Sequence, residues 1–285
     1  VFTNFSMEHL EFYASMQEYF AAKKSLFNQR KPYGPAIING DDAWCTTLLE
    51  SVEHVYQFGM HETAAIRATA MTAINNELNF QVCVQQVCYA VQVPSLFGLF
   101  NVYNVLAAAG VVYALELNMH DALGSLRSFF PVPGRMQRIV LANGAVAIID
   151  YAHNPSSYES VLPVMRAMTN HLIVVFGAGG QRDAKKRPIM GAIAAQYADE
   201  IILTSDNPRT EDPAIIVQDI LAGISAADKS KVQVVLDRKE AIERAYRMSC
   251  KGAVIALLGK GPDEYQIIGV QKIPFAERAI VESLI

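Results

Sequence analysis

Four polar segments in the second half of the chain each follow an apolar run. They are Asp150-Tyr151-Ala152-His153-Asn154-Pro155, Gly177-Ala178-Gly179-Gly180-Gln181-Arg182-Asp183, Asp206-Asn207-Pro208-Arg209 and Gly259-Lys260-Gly261-Pro262-Asp263-Glu264. Guanidinium groups such as those of Arg182 and Arg209 bind carboxylates through two parallel N–H donors, and carboxylates such as Asp206 and Asp263 pair with ammonium groups. Two of each around one crevice would suit an amino acid with more than one charged end. The plainer alternative is a set of solvated loops with surface ion pairs. Gly177 to Gly180 could cradle a phosphate or a carboxylate, or simply make a tight turn. No G-x-x-x-x-G-K-[ST] phosphate loop occurs in the sequence. The glycines also lack the G-x-G-x-x-G spacing and the downstream acidic partner of a nicotinamide-dependent oxidoreductase.

In the first half the reactive residue types are His9, Lys23, Asn101 and Asn104. His9 follows an Asn-Phe-Ser turn and could cap a helix. Lys23, beside Ala21, Ala22 and Leu26, could lay its stem along an apolar surface. Asn101 and Asn104 stand three apart at a helix start, where Asn can cap or read a base edge. Cys45, Cys83, Cys88 and Cys250 form no C-x-x-C pair. They read as reduced thiols, with Cys83 and Cys88 as core residues.

The elements that must carry these groups follow from periodicity. Short β-branched runs at 145–149, 172–176, 200–203, 232–236 and 254–258 alternate with amphipathic stretches at 157–168, 188–197, 213–222 and 239–248. That pattern predicts a parallel sheet covered on both faces, a Rossmann-like, doubly wound α/β domain. Such sheets bind ligands beyond the carboxyl ends of their strands, where the four polar segments fall. The first half is mixed. The pattern predicts a helix over 16–27, a buried strand over 36–39 and strands between 66 and 93 with a turn near Asn75-Asn76, then helices over 101–117 and 119–129. Pro131-Val132-Pro133-Gly134 breaks both periods, which puts the domain boundary at 133/134.

With 285 residues, 52% of them hydrophobic and 18% charged, the chain can build sizeable cores and is not disordered. A net charge of -4 argues against a nucleic-acid partner. No apolar stretch reaches the roughly 20 residues that span a bilayer, so no membrane partner is expected. The opening Val1-Phe2-Thr3 reads as the end of a buried strand, as though a longer protein had begun upstream.

A set of ordered motifs resembles the Mur ligase family over essentially the whole chain. They are Thr3-Asn4-Phe5-Ser6 with His9, Tyr19-Phe20-Ala21-Ala22-Lys23, Asn39-Gly40-Asp41-Asp42, Phe100-Asn101-Val102-Tyr103-Asn104, Pro133-Gly134-Arg135-Met136, Asp150-Tyr151-Ala152-His153, and the segments 179–187, 206–213 and 259–266. The resemblance implies the later part of a P-loop-type ATPase domain at 1–133 and a complete amino-acid-binding domain at 134–285. The UDP-binding domain and the P-loop would lie upstream, leaving this stretch inactive alone. It further implies a cytoplasmic, monomeric, ATP- and Mg²⁺-dependent ligase of peptidoglycan and cell-wall synthesis that activates the carboxylate of UDP-MurNAc-L-Ala-D-Glu as an acyl phosphate and joins it to meso-diaminopimelate.

By the same resemblance Lys23 matches a carbamylated lysine and His9 a magnesium ligand. Asn101, Asn104, Arg135, Asp150 and His153 match nucleotide contacts. Arg182, Asp206, Asn207, Pro208, Arg209 and Gly259 match the amino-acid site, with Arg209 holding the distal carboxylate. Where the family reads Gly-Lys-Gly-His-Glu, this chain has Pro262, Asp263 and Glu264, and either acid could take the distal ammonium. Alternatives are a lysine-adding relative, and a non-catalytic amino-acid-binding module.

Overall fold

Ala36–Asn39 (β1) is buried along its whole length because it lies between two layers. Ile37 points into one apolar cluster, and Ala36 and Ile38 into the other. The computed structural model describes residues 1–8, 12–31, 33–74 and 77–285, which divide into the units Val1–Phe130 and Pro131–Ile285. Neither His9 nor the turn expected at Asn75-Asn76 is among the described residues.

The first unit runs α1 (Met16–Lys24), β1, α2 (Ala43–Leu49), β2 (Val55–Gly59), β3 (Ile66–Ile74), β4 (Glu77–Val84), β5 (Val87–Val93), α3 (Leu99–Ala114) and α4 (Met119–Gly124). Its sheet has the order β1-β2-β3-β4-β5, parallel as far as β3 and antiparallel from there. Val102, Val105 and Leu106 of α3 cover one face. Phe2, Phe5, Tyr19, Phe20 and Phe27 pack over the other. Phe2 bridges to Ile38 in parallel, the strand-like ending expected for 1–3. The helix expected over 16–27 stops at Lys24 and tightens into a 3₁₀ turn, Ser25–Gln29.

One expectation fails here. Cys83 and Cys88 are disulfide-bonded, not reduced, and Cys88 is exposed. The β4–β5 register sets them directly opposite one another, which brings their side chains together. Cys45 (buried) and Cys250 (exposed) are free thiols.

The second unit runs β6 (Gln137–Val140), β7 (Val146–Asp150), α5 (Pro155–Ala167), β8 (Leu172–Phe176), α6 (Lys186–Tyr197), β9 (Glu200–Leu203), α7 (Pro213–Ala222), β10 (Val232–Val234), α8 (Arg238–Met248), β11 (Val254–Leu258), β12 (Tyr265–Ile268), β13 (Gln271–Pro274) and α9 (Glu277–Glu282). Its six-stranded sheet has the order β10-β9-β8-β11-β7-β6. The five expected strands are all parallel, and β6 adds an antiparallel edge beside β7. Strand β8 is buried on both faces. Its Ile173 and Val175 meet Ala241, Ile242 and Ala245 of α8, and Phe176 meets the ring of Tyr158 on α5 at 5.4 Å. No helix among the described residues is long and apolar enough to cross a membrane.

Candidate functional site

Because β11 inserts between β7 and β8, the chain reverses its winding direction there, and the loops after β7, β8, β9 and β11 converge at one sheet edge. The loop after β8 passes close under the loop after β9. Gly180 N donates to the Asn207 carbonyl at 2.9 Å. An added Cβ at Gly180 would fall 1.9 Å from the Pro208 carbonyl, so only glycine fits. Gly180 therefore serves loop-to-loop packing.

Arg209 is fixed by its backbone. Its φ is +53°, its N–H donates to the Ile267 carbonyl at 3.0 Å, and its carbonyl accepts from Gly269 N at 2.7 Å. Its guanidinium Nη1 donates to the Gly180 carbonyl at 2.7 Å. A Cβ on Gly179 would meet Arg209 Nη1 at 3.1 Å and Arg182 Cγ at 3.5 Å. The Arg209 guanidinium and the stem of the Arg182 side chain thus flank the same glycine, Arg182 exposed and Arg209 half-buried.

Asp206 is buried and lies 3.5 Å from Lys260 Nζ through Oδ1. Gly259, at φ +106°, leaves a Cβ position 3.0 Å from Asp206 Oδ2, and its N–H donates to the Asp150 carbonyl. Pro208 is buried and Asn207 half-buried. Of the two candidate acids, Asp263 is half-buried, its N–H donates to the Lys260 carbonyl at 2.9 Å, and its charge adds to burial in raising the Tyr151 hydroxyl's pKa. Glu264 is exposed.

Sequence reasoning passed over three charged residues beneath these loops. Arg238 and Glu277 are fully buried and pair at 2.9 Å, and Arg238 Nη2 also donates to the Leu258 carbonyl at the end of β11. Lys260 is fully buried. Burial lowers its pKa, against the opposing pull of Asp206. The available signal was a lysine between two glycines directly after a buried strand.

The nucleotide candidates of this unit gather around β7. Asp150 is buried and accepts from Met136 N and Ala152 N, each at 2.8 Å. Burial raises its pKa, opposed by those two bonds and by Arg135 and His153. Arg135 stacks over the Tyr151 ring at 4.7 Å, and His153 Nδ1 contacts the Tyr151 carbonyl at 2.8 Å.

In the first unit, Asn101 and Asn104 lie on the first turns of α3 and neither caps it; Gly98 stands at the cap. Asn101 Nδ2 donates to the Phe97 carbonyl at 2.7 Å, and Asn104 Nδ2 to Asn101 Oδ1 at 3.1 Å. The Asn39–Asp42 turn ties β1 to its surroundings. Asp42 caps α2 and accepts from Phe5 N, and Asp41 accepts from Met60 N and the Tyr103 hydroxyl. Exposed Lys23 holds its Nζ 5.4 Å from the Tyr19 ring. It lines an open cavity of about 520 Å³ with Asn4, Ser6 and Glu8, hard oxygen donors of the kind Mg²⁺ takes. Among the described residues, no group of three or more His, Cys, Asp or Glu could hold a metal ion by itself.

Comparison with known proteins finds two family matches in order along the chain. Residues 1–112 match the Mur ligase middle domain, and residues 134–261 match the Mur ligase, glutamate ligase domain. A UDP-N-acetylmuramoyl-L-alanyl-D-glutamate--2,6-diaminopimelate ligase from Thermosynechococcus vestitus is 39% identical over 97% of this chain and 56% of its own length. The enzyme of that name from Geobacillus kaustophilus is 37% identical over 100% of this chain and 60% of its own. The chain thus spans somewhat more than half the length of these relatives. A solved structure of a ligase with the same name aligns with TM-score 0.61 at 32% identity, covering 99% of this chain and 58% of that one. A MurF from Acinetobacter baumannii aligns with TM-score 0.74 at 20% identity, a likeness of fold. With both domain types in order along it, this chain belongs to the Mur ligase family.

Proposed function

We propose that this chain is part of an ATP-dependent, cytoplasmic, monomeric ligase of peptidoglycan synthesis that joins meso-diaminopimelate to UDP-MurNAc-L-Ala-D-Glu. The observation that carries this reading is the rigid placement of Arg209 beside Arg182 across Gly179, next to the acids of the β9 and β11 loops. The guanidinium of Arg209 takes the distal carboxylate of the amino acid through two parallel N–H donors. Arg182 takes a second carboxylate, with Asp206, Asn207, Pro208 and Gly259 shaping the pocket. Asp263 takes the distal ammonium, a role its partial burial favours over exposed Glu264. Lysine lacks the distal carboxylate and would leave Arg209 unpaired, a penalty that separates the two amino acids.

Arg135, Asp150 and His153 are the nucleotide contacts of the 134–285 domain, and Asn101 and Asn104 are those of the 1–133 domain, each set taken by itself. ATP supplies a phosphoryl group that turns the dipeptide carboxylate into an electrophile, and Mg²⁺, when bound, neutralises charge on the phosphoryl oxygens. His9 and Lys23, the latter as its carbamate, would hold that ion. The 285 residues carry no phosphate loop, so this stretch by itself is expected to release no phosphate from ATP.

Calorimetric titration with meso-diaminopimelate tests the reading. The unaltered chain should give binding heat, and Arg209→Ala should give none over the same concentrations. Equal binding of L-lysine would contradict the specificity, and silence of the unaltered chain would overturn the proposal.

A further inference from the structure

Lys260 has no role in the function proposed above, yet its side chain is 0% exposed. Taking an ammonium out of water is costly unless it is paired and hydrogen-bonded. Its Nζ donates to Asn207 Oδ1 at 2.9 Å, approaches Asp206 Oδ1 at 3.5 Å and lies 5.4 Å from the centre of the Tyr265 ring.

The contact with Asn207 has a consequence. Asn207 Oδ1 also accepts from the backbone N–H of Ile267, at 2.9 Å. An ammonium and a peptide N–H are both donors, so only the carbonyl branch of the carboxamide can face them. Turning the amide over would set its NH₂ against two donors. The Asn207 backbone carbonyl is likewise engaged, by Gly180 N at 2.9 Å and Arg209 Nη1 at 3.4 Å. What the side chain has left to offer is its amide Nδ2, which makes no hydrogen bond among the described residues, on a half-buried residue next to Pro208 and Arg209.

We propose that Lys260 is a positioning residue of the amino-acid site. It locks the Asn207 carboxamide so that Nδ2 faces outward as a donor to a carboxylate oxygen of the bound amino acid. This rests on the diaminopimelate reading above and assigns the orientation of one side chain within it. Without the ammonium, the Ile267 N–H alone holds the amide. The flipped orientation would then present a carbonyl to the carboxylate, like charge to like.

The test is calorimetric titration of the chain with meso-diaminopimelate, run on the wild type, Lys260→Met, Lys260→Gln, Asn207→Ala and the Lys260→Met/Asn207→Ala double variant, with a thermal melt of each. Loss of one hydrogen bond to a charged group predicts about 10-fold weaker binding for Lys260→Met and for Asn207→Ala. The double variant should bind no worse than Asn207→Ala, because Lys260 acts through Asn207. Gln keeps an N–H donor, one bond closer to the backbone, so Lys260→Gln should recover part of the affinity. Additive losses in the double variant would overturn the proposal, as would binding by Lys260→Gln as poor as by Lys260→Met.

Should Lys260→Met fail to fold, wild-type protein settles the matter by NMR. The Asn207 side-chain amide pair, assigned by its disappearance in Asn207→Ala, should shift on saturation with meso-diaminopimelate. An unmoved pair in a chain that binds the ligand overturns the role of Lys260 alone. A wild-type chain that gives no heat overturns the diaminopimelate reading and this inference with it.

Discussion

Tyr103 and Asp41 show how single side chains in this molecule do two jobs. The Tyr103 hydroxyl donates to Asp41 Oδ2 at 2.9 Å and so ties α3, which carries Asn101 and Asn104, to the turn after β1. Burial, then the hydrogen bond and charge of Asp41, push the Tyr103 pKa up to about 12. The folded value lies above the unfolded one. The stability this contributes is therefore fully present below pH 10 and is lost as pH rises through about 12. Denaturant unfolding of wild type and Tyr103→Phe should show a stability gap that is constant up to about pH 10 and closes between there and pH 12. A gap that stays flat over the whole range would show that the hydroxyl is not held as described.

At the scale of elements, the site depends on two loops that touch. Gly180→Ala would drive a methyl group into the Pro208 carbonyl, 1.9 Å away, and shift the backbone that carries Arg209. It should weaken meso-diaminopimelate binding by about 10-fold or more with little change in far-UV circular dichroism, since the displaced segment is loop. Gly124→Ala is the matched control. It lies in α4 with nothing within 4 Å of the added methyl, and should stabilise by about 0.5–1 kcal/mol with binding unchanged. Equal binding by Gly180→Ala and wild type would count against the role given to the loop contact.

Elements also mark what could be read from sequence. Four of the five parallel strands of the second unit declared themselves because strands buried within a sheet are continuous apolar runs, and the fifth, edge strand β10, is apolar although partly exposed. Strand β6 escaped because only alternate residues of Gln137–Val140 are partly covered, and an exposed edge needs no apolar run. The β12–β13 hairpin escaped because every residue of β13 is exposed. Arg182 and Arg209 were legible through their position after strands. Lys260 was not, because the sequence shows a lysine between glycines but not that the Asn207 amide, 53 residues earlier, folds onto it. The Cys83–Cys88 bridge was missed because its five-residue spacing becomes meaningful only through hairpin register.

At the scale of the whole molecule, each unit encloses its own apolar core. The single tryptophan, Trp44, packs against Phe5 and Phe20 in the first unit, so its fluorescence reports that unit alone. The residues proposed for the amino-acid site all lie in the second. Saturating meso-diaminopimelate should therefore raise the melting temperature seen by calorimetry for the second unit, by mass action, and leave the Trp44 fluorescence transition where it was. Equal shifts of both signals would mean that the units melt together.

The backbone of Arg209 carries a last implication. At φ +53° an L-residue other than glycine costs about 1–2 kcal/mol. Paired through Ile267 and Gly269, the chain cannot relax out of that conformation. Glycine at position 209 would relieve that strain, but it would discard the guanidinium together with its bond to the Gly180 carbonyl. A backbone eased at this one position is therefore expected to lose the grip on a carboxylate proposed for Arg209.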